Sequence, residues 1–148
     1  MLQPFKDHRF EVFSRQSKER RKSGHITFIP VSKVAFNQSL ASCHGIVCGA
    51  GFETPAEALY LKKKMIAIPI RGQYEQMCNA AALKKIGIKT LDKIDDDFPD
   101  VFNNWVNDPV TPTVNYQYTT EAIINVLMFR CTDLKHKLDI PYPDLVFN

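Results

Sequence analysis

The 148 residues carry 19 Lys and Arg against 16 Asp and Glu, a net charge of +3, with 45% hydrophobic and 24% charged side chains. A chain of this size and composition can bury one substantial core, which excludes disordered and fibrous classes, and so small a positive surplus gives no ground for a nucleic-acid binder. Met1 to Phe10 lacks the apolar stretch of a signal peptide, and no apolar run approaches the ~20 residues that span a bilayer, so a cytoplasmic protein with at most peripheral contact at the inner membrane face is expected.

Apolar runs alternate with helical patterns in the order that builds a parallel α/β sheet, and no internal repeat interrupts them. Gln3-Pro4-Phe5 reads as the tail of a helix, and the first strand follows at Phe10–Ser14. The cationic run Arg15, Lys18, Arg20, Arg21 and Lys22 has no aromatic residue interleaved and ends at Gly24; it reads as a solvated loop between strands, with weak lipid steering as its functional alternative. Further strands are predicted at Ile26–Pro30, Gly45–Cys48, Met65–Ile70 and near Lys89–Leu91. Helices fill the intervals: Lys33–Ser42 turns Val34, Phe36, Leu40 and Ala41 to the sheet, Pro55–Lys63 turns Leu59 and Leu61, and Tyr74–Ile86 turns Met77, Ala81 and Ile86. A last helix from Thr120 to about Lys137 starts with Glu121 and ends with Lys135 and Lys137, which suits its dipole.

The most informative stretch is Cys48-Gly49-Ala50-Gly51-Phe52-Glu53-Thr54-Pro55-Ala56-Glu57, followed by Ile68-Pro69 and Gly72-Gln73-Tyr74-Glu75-Gln76-Met77-Cys78-Asn79-Ala80. An apolar strand ends in glycines, where a ligand can approach the backbone closely, and a helix begins at once. Thr54 is a preferred N-cap, Pro55 fits a first helical turn, and Glu57 stands three residues after Thr54 as in a capping box. Glycine loop and helix N-terminus together place free amides and a positive dipole end where a diphosphate could sit.

These residues resemble the donor-binding half of GT-B glycosyltransferases, enzymes built from two Rossmann-like domains facing a cleft. Gly51 to Glu57 is similar to the Gly-aromatic-x-Ser/Thr-x-x-Glu stretch of nucleotide-sugar transferases, and Glu75 to Ala80 to their Asp/Glu-Gln-x-x-Asn-Ala stretch, with peptidoglycan N-acetylglucosaminyltransferases and related bacterial enzymes as the nearest likeness. The resemblance covers roughly Phe10 to Ile88 well. It implies a Rossmann-like parallel sheet with flanking helices, a C-terminal GT-B half-domain lacking its first strand-helix unit and occupying residues 1–148, with the acceptor-binding domain absent. The chain is then a piece of a longer enzyme, a truncated reading frame, or a separately encoded donor subunit that joins an acceptor subunit.

The resemblance further implies the site. Gly49, Ala50, Gly51, Phe52 and Thr54 would hold the diphosphate, Glu57 would accept from the ribose hydroxyls, Glu75 and Gln76 would bind the donor sugar, and Gln73 beside them at the carboxyl end of the strand would belong to the same substrate site. Gly49 stands where plant-type relatives carry a phosphate-binding His, so phosphate would rest on backbone donors. Lys62-Lys63-Lys64 replaces the usual Gly-Lys-Pro, losing a turn signal but no ligand group. Transfer would proceed from a nucleotide-diphosphate sugar, UDP-linked by family frequency, with no metal or other cofactor; the general base would come from the acceptor half, leaving no catalytic residue in this chain. A nucleotide-sugar 2-epimerase and a non-catalytic binding subunit are the alternatives.

Other readings of single residues stay open at this stage. Glu57 is a ribose ligand, a capping partner of Thr54, or both, and Arg71 is a phosphate contact or a solvated loop residue. Asn79, three residues after Gln76 on the same helix face, braces it. Asp95-Asp96-Asp97 reads as solvated carboxylates rather than a cation site. Cys43, Cys48, Cys78 and Cys131 show no metal spacing and read as buried thiols, with a Cys43 nucleophile and His44 base disfavoured because adjacent residues on a strand face opposite ways.

Overall fold

A computed structural model describes residues 1–114 and 119–132. Its first unit, Met1–Pro112, holds two three-stranded sheets. In the first, β1 (Phe10–Ser14) pairs parallel with β3 (Ile26–Pro30), whose other edge carries β2 (Arg21–Ser23) antiparallel. Helix α1 (Lys33–Ser42) crosses to the second sheet, capped at Ser32, whose hydroxyl accepts from the Ala35 N–H. There β4 (Gly45–Gly49), α2 (Glu53–Tyr60), β5 (Lys64–Ile68), α3 (Tyr74–Lys85) and β6 (Lys89–Thr90) alternate, and the strands pair parallel in the order β4, β5, β6. The result is the α/β, Rossmann-like sheet with flanking helices that the sequence pattern implies. Helix α4 (Phe98–Asn107) follows; α5 (Thr119–Thr132) belongs to a second unit that begins at Thr113, and the stretch of the expected last helix beyond Thr132 lies outside the described residues.

The central strand β5 is buried through Lys64, Met65, Ile66 and Ala67. Ile66 packs in a cluster with Phe5, Phe98 and Phe102, to which Phe10, Ile68, Leu91 and Trp105 add partly buried surface. The Phe5 ring lies 4.5 Å from that of Phe102 and edge-on to Phe98 at 6.5 Å, within the range where aromatic pairs attract beyond simple burial. Gln3-Pro4-Phe5 is therefore no helix tail; it lies in a stretch of turns that drives Phe5 into the core.

Several expectations are corrected. The cationic run is not wholly loop, because Arg21–Ser23 forms β2, paired antiparallel with β3 and with all three side chains exposed. Its turn into β3 needs Gly24, whose φ of 61° is in the left-handed region. Helix α4 had no place in the strand and helix order read from the chain. On α1 Val34 and Ala41 face solvent while Leu40 is buried and Phe36 half-buried; on α2 Leu59 is buried but Leu61 exposed; on α3 Met77 and Ala81 are exposed and Ala80 and Leu83 form the inner face.

The three lysines between α2 and β5 have structural work. Lys62 makes the turn with φ 53°. Lys63 Nζ donates to the carbonyls of Ala41 (2.7 Å) and Cys43 (2.9 Å), closing the end of α1. Lys64, 5% exposed, donates to the carbonyls of Trp105 (2.6 Å), Val106 (3.3 Å) and Asp108, so one ammonium satisfies the orphan acceptors at the end of α4. Trp105 in turn lies against Gly45, where a Cβ would stand 2.7 Å from its ring. Lys64→Met is expected to lower unfolding free energy by at least about 2 kcal/mol, because buried carbonyls lose their donor, and Lys63→Met by about 1 kcal/mol or less, because water can replace it. Denaturant titration of the two variants checks the order.

Candidate functional site

Parallel pairing sends β4 and β5 out of the sheet at the same edge, where open α/β sheets bind ligands. Gly49 is opposite Ile68, and the ladder runs one bond further, with the Ala50 N–H donating to the Ile68 carbonyl at 3.3 Å. Ala50 is thereby buried and its amide engaged. Beyond it the loop is open: a Cβ on Gly51 would meet no atom within 4 Å, and the Phe52 ring is 75% exposed.

Helix α2 starts at Glu53, one residue before the expected cap. The N-cap position belongs to Phe52, and no side chain caps the helix, so the Thr54–Glu57 capping box does not form. Thr54 is half-buried inside the first turn and Pro55 is buried there, where its missing N–H costs no helix bond. An uncapped start leaves the first-turn amides at Glu53 and Thr54 to whatever approaches the Gly51 loop. Glu57, relieved of a capping role, lines a 190 Å³ recess between α1 and α2 with Asn37, Leu40, Tyr60 and Leu61.

The second loop, Pro69 to Gln73, is tied to the start of α3. Gln76 Oε1 accepts from the Ile70 N–H at 2.9 Å, and its Nε2 donates to Gln73 Oε1 at 2.7 Å. Gln73, Glu75 and Gln76 thus share one short arc, with Gln73 at an N-cap whose side chain makes no capping bond. Asn79 braces a different partner from the one expected. Its Nδ2 donates to the Ala50 carbonyl at 3.2 Å and to Glu75 Oε1 at 3.4 Å, joining α3 to the glycine loop. Arg71 is exposed beside this arc.

A larger cavity of 370 Å³ lies at the other end of the strands, among Lys64, Lys89, Gly87, Trp105 and Asp108. It adjoins the lysine-capped end of α4 and the end of α3, two helix C-termini with partial negative charge, and none of the loop residues reaches it. Among the described residues no group of three or more His, Cys, Asp or Glu is placed to hold a metal ion. No described helix is long and apolar enough to cross a membrane.

The thiols separate. Burial pushes the Cys48 thiol up to about 12 and raises that of Cys43, which also donates to the Leu40 carbonyl at 3.3 Å. Neither is poised as a nucleophile. Cys78, expected in the core, is exposed on α3 beside Tyr74, whose hydroxyl is held above its usual range by a hydrogen bond to that thiol. The Cys131 side chain lies outside the described ones. With a thiolate fraction of about one in ten thousand at pH 8, Cys48 should resist iodoacetamide in the folded protein. Cys78 should label readily; mass spectrometry of the labelled peptides shows the order, and labelling of Cys48 as early as Cys78 would contradict its raised thiol.

Residues 1–108 match the family described as Glycosyl transferase family 1. Comparison with curated proteins and with solved structures gives no match.

Proposed function

From the premise that the chain belongs to glycosyl transferase family 1, whose members move a sugar from a nucleotide sugar, we propose that the edge formed by β4, β5 and the starts of α2 and α3 binds the donor, a nucleotide-diphosphate sugar. The observation that carries the reading is the uncapped start of α2 behind an open glycine loop. The diphosphate rests on amides between Gly51 and Thr54. Ala50, its own amide spent on Ile68, supports that loop from within.

Glu57, about one turn into α2 and in the wall of the recess toward α1, accepts from the ribose hydroxyls and draws the nucleoside between the two helices. Gln73, Glu75 and Gln76 face the sugar. Uridine is the base in this reading.

The chemistry follows from where charge develops. Breaking the anomeric C–O bond leaves an oxocarbenium-like centre and a diphosphate that gains negative charge, and preorganised amides at a helix start stabilise that leaving group without reorganising. The base that activates the acceptor hydroxyl comes from an acceptor-binding domain or subunit, and residues 1–148 by themselves bind donor without transferring it. No metal is required, because backbone donors meet the phosphate charge.

Glu57→Gln separates this role from a structural one. Since Glu57 caps nothing, its thermal midpoint should stay put, while loss of a charged acceptor should weaken UDP binding by about 1–2 kcal/mol, roughly 5- to 30-fold. Calorimetric titration measures it. Unchanged affinity would remove Glu57 from the site, and absence of UDP binding by the wild-type chain would contradict the donor reading.

A further inference from the structure

Residues 15–24 hold five cations, Arg15, Lys18, Arg20, Arg21 and Lys22, against one carboxylate, Glu19. Their net charge of +4 exceeds the +3 of the whole chain, so the positive surplus of the protein is concentrated here. The fold turns this run into a fixed feature. The ladder Arg21↔Phe28, Lys22↔Thr27, Ser23↔Ile26 lays its second half along the edge of the first sheet. Arg20 pairs with Glu11 of β1 at 3.0 Å, and the Arg21 guanidinium lies 5.1 Å over the Phe28 ring of β3, so side chains of both other strands orient it. All five cationic side chains are exposed.

One or two cations are enough to keep an edge strand from pairing with another chain. Five within eight residues exceed that need. We propose that this hairpin docks the protein on an anionic lipid surface. A cluster of four to eight Lys and Arg on one short segment is the charge density that phospholipid headgroups attract, and contact through a hairpin is peripheral. Single-stranded nucleic acid is the poorer fit, because its binders interleave aromatic platforms with the cations. Residues 15–24 contain no aromatic, and Phe28, the ring nearest in the ladder, is covered by Arg21. The proposal stands apart from the donor site, which lies on the second sheet.

Flotation with vesicles containing about 30% phosphatidylglycerol in phosphatidylcholine, at about 0.05 and 0.5 M NaCl, tests it, since screening at the higher salt should release a charge-held protein. The wild-type chain should float with anionic vesicles at low salt, stay behind with pure phosphatidylcholine, and dissociate at high salt. Combining Arg15→Gln, Lys18→Gln and Lys22→Gln spares the two oriented arginines and should reduce the partition about 100-fold on the usual contribution of a cation near an anionic leaflet. Its thermal midpoint and UDP titration should match the wild type. If the midpoint falls, the Lys18→Gln, Lys22→Gln pair makes the same comparison with a loss of about tenfold or more. Equal flotation with neutral vesicles, undiminished flotation of the folded variants, or release from the vesicles by a single-stranded RNA oligomer at equal phosphate concentration would overturn the proposal.

Discussion

Parallel pairing of β4 with β5 sets Gly49 opposite Ile68, and the carbonyl of Ile68 then takes the Ala50 N–H. That single extension of the ladder fixes where the glycine loop leaves the sheet. It buries Ala50, turns its carbonyl toward Asn79, and hands the next residues to α2 without a capping side chain. On the other side, Ile68 leads through Pro69 to Ile70, whose amide is held by Gln76. Both loops are therefore tied to α3, one through Asn79 and one through Gln76. The arrangement is rigid where hydrogen bonds to the sheet are needed and open where Gly51 and Phe52 meet solvent.

The opposite end of the same strand is anchored by charge. Lys64 opens β5 and closes α4, so the strand that presents Ile68 to the glycine loop is pinned at its start by a buried ammonium with three carbonyl acceptors. Trp105 completes this anchor by filling the space that Gly45 leaves open beside β4. Both strands that carry the Gly51 and Ile70 loops are thus held at their amino ends by the last turns of α4, and the aromatic cluster around Phe5, Phe98 and Phe102 covers Ile66 between the two ends.

Much of this was legible from residue order. Phe10–Ser14, Ile26–Pro30 and Lys33–Ser42 have in the structure the limits their patterns predict, and β4, β5, β6 and α3 differ only at their ends. In such elements local pattern and tertiary burial agree. What escaped has particular causes. β2 is held by main-chain bonds at an edge and needs no apolar face, so a run of cations conceals it. Helix α4 carried a usable signal, since Phe98, Phe102 and Trp105 recur at helical spacing with Pro99 in the first turn, yet the preceding aspartates read as loop. The caps made by Lys63 and Lys64 join residues 20 to 44 positions apart, a distance no local pattern reports. At the site, Thr54 had the chemistry of a cap but sits one step inside the helix, and the small residues of α3 allowed two inward faces, of which packing chose Ala80 and Leu83.

The central claim is that the carboxyl edge of the second sheet, and not the larger cavity at its amino end, receives the nucleotide sugar. Amide chemical shifts of the isotope-labelled chain, followed through a UDP titration, test it most directly. The account predicts saturable shifts at Gly51 to Thr54 and in the Ile70 to Gln76 arc, with Lys84, Lys89 and Trp105 unmoved. Shifts centred on Lys84, Lys89 and Trp105, with the glycine loop silent, would contradict it.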